Sequence, residues 1–260
     1  MSKKALVTGA GIRLGREIAL GLARDGYDVA VHYSKSSDGA RAVVDEIKAL
    51  GQNAVAVQAD FFDEDALTKL VHEAAAGLNG PLSVLVNNAS VFEYDTIQSA
   101  TRESWDRHMN SNLRAPFVLS QQFAAQAPKA ITDANGAKRA ESVIINMVDQ
   151  RVKKLTPEFM TYTLAKMGLW ALTQTSARAL APDIRVNAIA PGSTIKGTRQ
   201  SDAHFDGQRT NTILERGPNP ADITATVSYI VNNPALTGQV IAVDGGQHLA
   251  WQTPDIRGVE

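Results

Sequence analysis

Ala5-Leu6-Val7-Thr8-Gly9-Ala10-Gly11-Ile12-Arg13-Leu14-Gly15 is a short apolar run that breaks into a glycine-rich turn. The residues that follow place Ile18, Ala19 and Leu22 on one helical face and stop at Gly26. Strand, glycine turn and helix in that order make a phosphate site. Glycines let the backbone come close, and the helix N-terminus offers free N–H groups and a positive dipole end. A tight turn that holds nothing would look the same in isolation. Its place between the first strand and first helix of an alternating chain gives the pattern its weight.

The alternation continues outward from this stretch. Further strands are predicted at Val29–Tyr33, Ala54–Gln58, Val84–Asn87, Val143–Asn146, Arg185–Ala190 and Gln239–Val243, with Ala5–Val7 as the first. Several are unbroken apolar runs, as strands covered on both faces should be. Helical spacing joins Val43, Ile47 and Leu50, then Leu67, Leu70 and Val71 behind Asp63 as a cap. Asn219-Pro220 opens another helix through Ile223, Val227 and Ile230. The fold class is therefore α/β: one domain over residues 1–260, with a doubly wound, seven-stranded parallel sheet flanked by helices. Residues 129–141 read as a surface insertion. Residues 193–217 lack apolar periodicity and are expected to form a long substrate loop with short helical turns.

Composition narrows the function. The chain has 260 residues, 26 basic against 27 acidic, and no Cys. Near-neutral charge argues against binding nucleic acid through a basic surface. The absence of Cys excludes disulfides, thiolate metal sites and thiol nucleophiles. The five His show no metal-ligand spacing, and no metal is assigned. Only three apolar residues follow Lys4 before Thr8, too few for an export signal, and no run is long enough to span a bilayer. A cytoplasmic protein acting on a small molecule is expected.

Two further patterns carry chemistry. His32-Tyr33-Ser34-Lys35-Ser36 closes the second strand without a carboxylate. An acid there would hold the ribose hydroxyls of NAD; hydroxyls and a Lys suit a 2′-phosphate, so NADPH is favoured unless Lys35 is simply a solvated charge. Tyr162 and Lys166 stand four apart on one helix face. An ammonium close to a phenol is expected to lower the phenol's pKa toward working pH. The same spacing also arises between unrelated surface residues.

Taken together, these residues identify the chain as a member of the short-chain dehydrogenase/reductase family by resemblance. The supports are Thr8–Gly15, Ala59-Asp60, Asn87-Asn88-Ala89, Asn112, Tyr162 with Lys166, Pro191-Gly192 and Val243-Asp244-Gly245-Gly246, in order along the whole chain. The resemblance implies hydride transfer from a nicotinamide. Tyr162 would donate the proton, Lys166 would lower its pKa and hold the ribose, and Asn112 would support a relay water. It implies a cofactor site of Gly9, Gly11, Arg13, Leu14, Gly15, Tyr33, Ser34, Lys35, Asp60, Phe61, Asn87, Ser90, Pro191, Gly192 and Ser193, with Tyr162 and Lys166. It also implies a homotetramer, in which Trp170 is interface or core.

Three departures point to one branch. Most members carry Gly where this chain has Arg13, read NNAG where it has Asn87-Asn88-Ala89-Ser90, and place Ser thirteen residues before the Tyr, where Asp149 stands. All three resemble the pteridine reductases and bacterial dihydromonapterin/dihydrofolate reductases. The implied substrate site is Arg13, Phe92, Asp149 and Tyr162. Phe92 would stack on a flat heterocycle, and Asp149 would share the proton path if its pKa is raised. Ordinary packing would equally explain Phe92, and an exposed loop acid Asp149. The alternatives are an NADPH-dependent carbonyl reductase of a 3-oxoacyl thioester or small ketone, and a non-catalytic NADPH-binding regulator. Residues 247–260 form an extra tail whose Trp251 is expected to pack near a neighbouring subunit's loop.

Overall fold

The computed structural model describes residues 3–197 and 200–251. Strands β1 (Lys3–Val7), β2 (Tyr27–Tyr33), β3 (Ala54–Gln58) and β4 (Val84–Asn87) alternate with helices α1 (Arg13–Arg24), α2 (Ser37–Ala49) and α3 (Glu64–Gly77). Helix α4 (Arg102–Met109) runs through a π-helical stretch at Asn110–Arg114 into α5 (Ala115–Gln126). A small hairpin, β5 (Ile131–Thr132) and β6 (Lys138–Arg139), occupies the predicted insertion. Then come β7 (Ser142–Met147), α6 (Met160–Ala179), β8 (Ile184–Pro191), α7 (Asp202–Thr210), α8 (Pro220–Asn232) and β9 (Val240–Val243).

The seven long strands form one parallel sheet in the order β3-β2-β1-β4-β7-β8-β9. Successive residues point to opposite faces, and both faces are apolar. Ala5, Val7, Val29 and Val31 pack with Ile18, Leu22, Val43 and Ile47 on one side. Leu6, Ala30 and Leu85 pack with Leu67, Leu70, Leu119 and Phe123 on the other. This two-sided burial explains the unbroken apolar runs. The chain order reverses between β1 and β4, so a crevice opens at their carboxyl ends, where doubly wound sheets bind ligands. Among the described residues no helix is long and apolar enough to cross a membrane.

The expected loop 193–217 contains a real helix of nine residues, α7, rather than short turns. None of its side chains is buried, so no apolar face marked it in the sequence. The residue that could have marked its start is Ser201, whose hydroxyl accepts from the His204 N–H as an N-cap. Of the tail, residues 252–260 lie outside the described residues. Gln247–Leu249 form a short turn, and the Gln247 carbonyl accepts from Lys154 Nζ at 3.4 Å. Trp251 is 60% exposed on this single chain. Trp170 packs partly buried beside Leu169 and Val148.

Candidate active site

The glycine turn is shaped by backbone geometry. Gly9 has φ +63°, and a Cβ at Gly15 would lie 2.2 Å from the Gly9 carbonyl oxygen, so no side chain fits there. The turn is pinned from below by His32. Its Nδ1 accepts from the Gly9 N–H at 3.0 Å, and Nε2–H donates to the Ala59 carbonyl at 3.0 Å. The ring stacks on Phe61 with centroids 4.8 Å apart. Burial pushes the imidazole down to about 4, so it is neutral with a fixed tautomer. His32 therefore braces the turn from inside, a role the sequence did not suggest.

A cleft of about 450 Å³ lies above this turn. Gly9, Gly11, Arg13, Leu14, Gly15, Tyr33, Ser34, Lys35, Asp60, Phe61 and Ser90 all line it. Asn87 does not. Its side chain is buried and donates to Asn146 Oδ1 at 2.8 Å, tying β4 to β7, because a residue inside the strand points into the sheet's packing layer. Asn88 and Ala89 line the cleft in its place. Asn88 donates to the Thr8 carbonyl at 2.9 Å. The fit to a phosphorylated dinucleotide is good: a glycine cradle at a helix N-terminus, Lys35 on the rim, and no carboxylate among residues 32–36.

Arg13 is the unusual member. It adopts φ +53°, a left-handed conformation that costs a residue with a Cβ about 1 kcal/mol or more. Its guanidinium leaves the turn and donates to the carbonyls of Ile195 (3.1 Å) and Lys196 (2.9 Å), holding the loop after β8 against the cofactor cleft. Pro191 ends β8, and the Gly192 N–H donates to the Val243 carbonyl at 3.0 Å. Ser193 donates to Gln208 on α7 at 2.8 Å. Arg209 braces both ends of the same loop through the carbonyls of Ser193 and Gly217.

The catalytic candidates meet where β7 ends beside α6. Tyr162 donates its hydroxyl to Asp149 Oδ2 at 2.9 Å, and the Arg151 N–H donates to Asp149 Oδ1 at 2.8 Å. Asp149 is thus no isolated loop acid. Burial raises its pKa, against the pull of those two hydrogen bonds. The expected lowering of the Tyr162 pKa is not what this arrangement produces. Burial, then the Asp149 charge, hold the phenol well above its usual range, so Tyr162 is a protonated donor. Lys166 donates to the Met147 carbonyl at 2.7 Å, and burial takes its ammonium down to about 8.

Asn112 sits in the π-helical stretch, a distortion that often marks functional sites. Its amide is fully committed to the loop after β4. Oδ1 accepts from the Val91 N–H and Nδ2 donates to the Val91 carbonyl, both at 2.8 Å. Pro116 has no N–H to give, so the Asn112 carbonyl lacks its ordinary i+4 donor.

Phe92 is half-exposed beside the phenol, with ring centroids 4.7 Å apart edge to face. One face of Phe92 is already covered by Phe159, stacked at 4.3 Å. Arg151 lies over the Phe159 ring at 4.7 Å, and Tyr94 meets that ring edge-on at 5.2 Å. Phe159, Tyr94 and Arg151 were not readable as site residues. Phe159 does carry a mark of strain, φ +54° immediately before α6.

Comparison with known proteins identifies the family. The short chain dehydrogenase profile matches residues 3–206. FolM alternative dihydrofolate reductase 1 from Brucella canis, solved complexed with NADP, is 42% identical, superposes with TM-score 0.89, and covers 98% of this chain and 97% of its own. The Brucella suis protein of the same name, also with NADP, gives 41% and 0.90 over 98% of each chain. The 3-oxoacyl-[acyl-carrier-protein] reductase FabG of Staphylococcus epidermidis is 36% identical over 254 residues, 96% of this chain and 100% of that protein. The chain belongs to the short chain dehydrogenase family.

Proposed function

We propose that the chain is an NADPH-dependent reductase of a dihydropterin-type C=N substrate. The observation that carries this reading is the Tyr162 hydroxyl donating to Asp149, where a ketone reductase of this family would place a Ser that contacts the carbonyl. The similarity to NADP-bound FolM proteins supports it. When bound, NADPH supplies the hydride. Gly9, Gly11 and Gly15 would cradle its diphosphate and Ser34 and Lys35 its 2′-phosphate; by the family resemblance, Lys166 would hold its nicotinamide ribose. The chain's own residues handle the proton. Tyr162 and Asp149 share a hydrogen bond in a covered site, so the pair can release one proton to a ring nitrogen. The face of Phe92 not covered by Phe159 offers a stacking surface for a flat ring. Arg13 couples the cofactor turn to the substrate loop.

The FabG likeness favours a second reading, reduction of a 3-oxoacyl thioester by the same Tyr162 and Lys166. NADPH oxidation with dihydrobiopterin, dihydrofolate and an acetoacetyl thioester separates the two. Preference for the pterins is expected; preference for the thioester would establish the second reading. A homotetramer is also proposed, supported by exposed Trp105 on α4 and Phe117 on α5.

A further inference from the structure

A second polar cluster lies behind the catalytic phenol and touches neither the cofactor cleft nor Asp149. It begins at the start of α6. Phe159 stands at the N-cap position and has no side-chain oxygen, so the first N–H groups of the catalytic helix need a partner from elsewhere. Asp95 supplies it across 66 residues of chain. Its carbonyl accepts from the Met160 N–H at 3.3 Å, and its Oδ1 accepts from the Thr161 N–H at 3.1 Å. A carboxylate is also favoured by the helix dipole there.

The cluster then runs on to α4. Thr161 Oγ1–H donates to Asp95 Oδ2, and Ser104 Oγ lies 3.1 Å from the same oxygen. His108 Nδ1 lies 2.7 Å from Thr161 Oγ1. The Glu93 N–H donates to His108 Nε2 at 3.1 Å. These partners fix every proton. Nε2 accepts, so Nδ1 carries the hydrogen and donates to Thr161, whose own hydrogen goes to Asp95. Asp95, His108 and Thr161 are all buried. Burial lowers the imidazole's pKa against the pull of Asp95 and Glu93, in keeping with the neutral form the geometry demands.

The array joins three things: the loop of Glu93 and Asp95, helix α4, and the first turn of α6. Phe92 precedes Glu93, and Tyr162 follows Thr161. The His108 ring also meets the Tyr162 ring edge to face at 5.9 Å. Asn112 already fixes the cofactor end of this loop at Val91. Asp95 and His108 fix its substrate end.

We propose that Asp95, Thr161 and His108 are positioning residues that hold Phe92 against the Tyr162 phenol, setting substrate affinity without serving the cofactor. This rests on Phe92 and Tyr162 forming the substrate wall, as argued above. It does not depend on whether a pterin or a thioester is reduced.

The test uses Thr161→Val, which keeps shape and removes the hydroxyl, Thr161→Ser, which restores it, and His108→Phe, which keeps a ring against Tyr162. Each is assayed with whichever of dihydrobiopterin or acetoacetyl thioester the parent prefers; that preference alone judges the proposed function. Thr161→Val and His108→Phe are expected to raise the substrate KM by roughly tenfold, with kcat within about threefold. NADPH Kd should stay within about twofold, and Thr161→Ser should return KM to near the parent value. Amide exchange of residues 91–96 in the NADPH complex reads the array without substrate. Thr161→Val should speed exchange there and leave residues 9–15 unchanged. Unaltered KM and exchange, or a parallel rise in NADPH Kd, would overturn the proposal. Should Thr161→Val fail to fold, His108→Phe carries the same expectations.

Discussion

The two walls of the crevice are built by different means. The cofactor wall is made of buried backbone: a glycine turn held by His32 from below and by Thr8 and Asn88 from the side. The opposite wall, beyond β8, is made of exposed residues. Helix α7 buries no side chain, and its loop is held by the guanidinium groups of Arg13 and Arg209. A wall of the first kind is fixed by the folding of the sheet and suits a ligand whose shape never changes. A wall of the second kind can vary in sequence without cost to the core.

The sharpest way to break the cofactor wall is acid. His32 is neutral in the fold at about 4 and would titrate near 6.5 when unfolded, so the unfolded chain binds the extra proton first. The stability this provides is complete above pH 6.5 and is lost as pH falls toward 4. The shift corresponds to about 3 kcal/mol. Urea unfolding at pH 7, 5.5 and 4.5 should show this loss in the parent. A His32→Phe variant should be less stable at pH 7 and less steep with pH; equal steepness would contradict the assignment.

Next in size is Tyr162→Phe. Turnover should fall by at least ~10², while NADPH affinity stays nearly unchanged, because the phenol serves the substrate side. Single-turnover absorbance at saturating NADPH measures it. A variant at parental speed would remove Tyr162 from the mechanism.

Ser34→Asp tests cofactor choice within the first wall. A carboxylate beside the 2′-phosphate position should weaken NADPH by roughly tenfold or more and leave NADH little changed. Titration of both cofactors checks this. A parent that binds both equally would refute the reading of residues 32–36.

Arg13→Gly sharpens the contrast itself, because Arg13 belongs to both walls. Removing the side chain relieves the left-handed strain, so stability should hold or rise by up to about 1 kcal/mol. The loop loses two hydrogen bonds, so substrate KM should rise a few-fold. Denaturant unfolding together with steady-state kinetics shows both. A variant that is less stable with an unaltered KM would mean the strain serves the fold and not the loop.

The same contrast explains what the sequence could tell. All seven sheet strands were legible, because burial on both faces leaves unbroken apolar runs such as Val29–Val31. The glycine turn was legible because only glycine tolerates the approach at Gly15. Helix α7 was not, since nothing in it is buried. Asn87 ends β4 with its side chain turned to Asn146, whereas Asn88, just past the strand, lines the cleft; which of two adjacent Asn does so is not readable from sequence. Asp149 and Tyr162 were paired by registration, and the structure brings them to 2.9 Å. Four-residue spacing put Lys166 beside Tyr162 in the sequence, but in the fold burial and Asp149 raise the phenol and the Lys166 hydrogen bond goes to Met147. Phe159, Asp95 and His108 left no local pattern, since their partners are distant in sequence.

Asp149 carries the central claim. Its raised pKa keeps the carboxyl protonated to higher pH than an ordinary Asp, so dihydropterin reduction should decline with rising pH as Asp149 ionises. Asp149→Asn should flatten that decline at lower activity. The decisive measurement is kcat/KM for dihydrobiopterin and for an acetoacetyl thioester, in the parent and in Asp149→Ser. The account predicts a parent that prefers the pterin, and a variant that loses pterin reduction by at least about tenfold while keeping or gaining thioester reduction. A parent that prefers the thioester, or a variant whose pterin activity is undiminished, would contradict it.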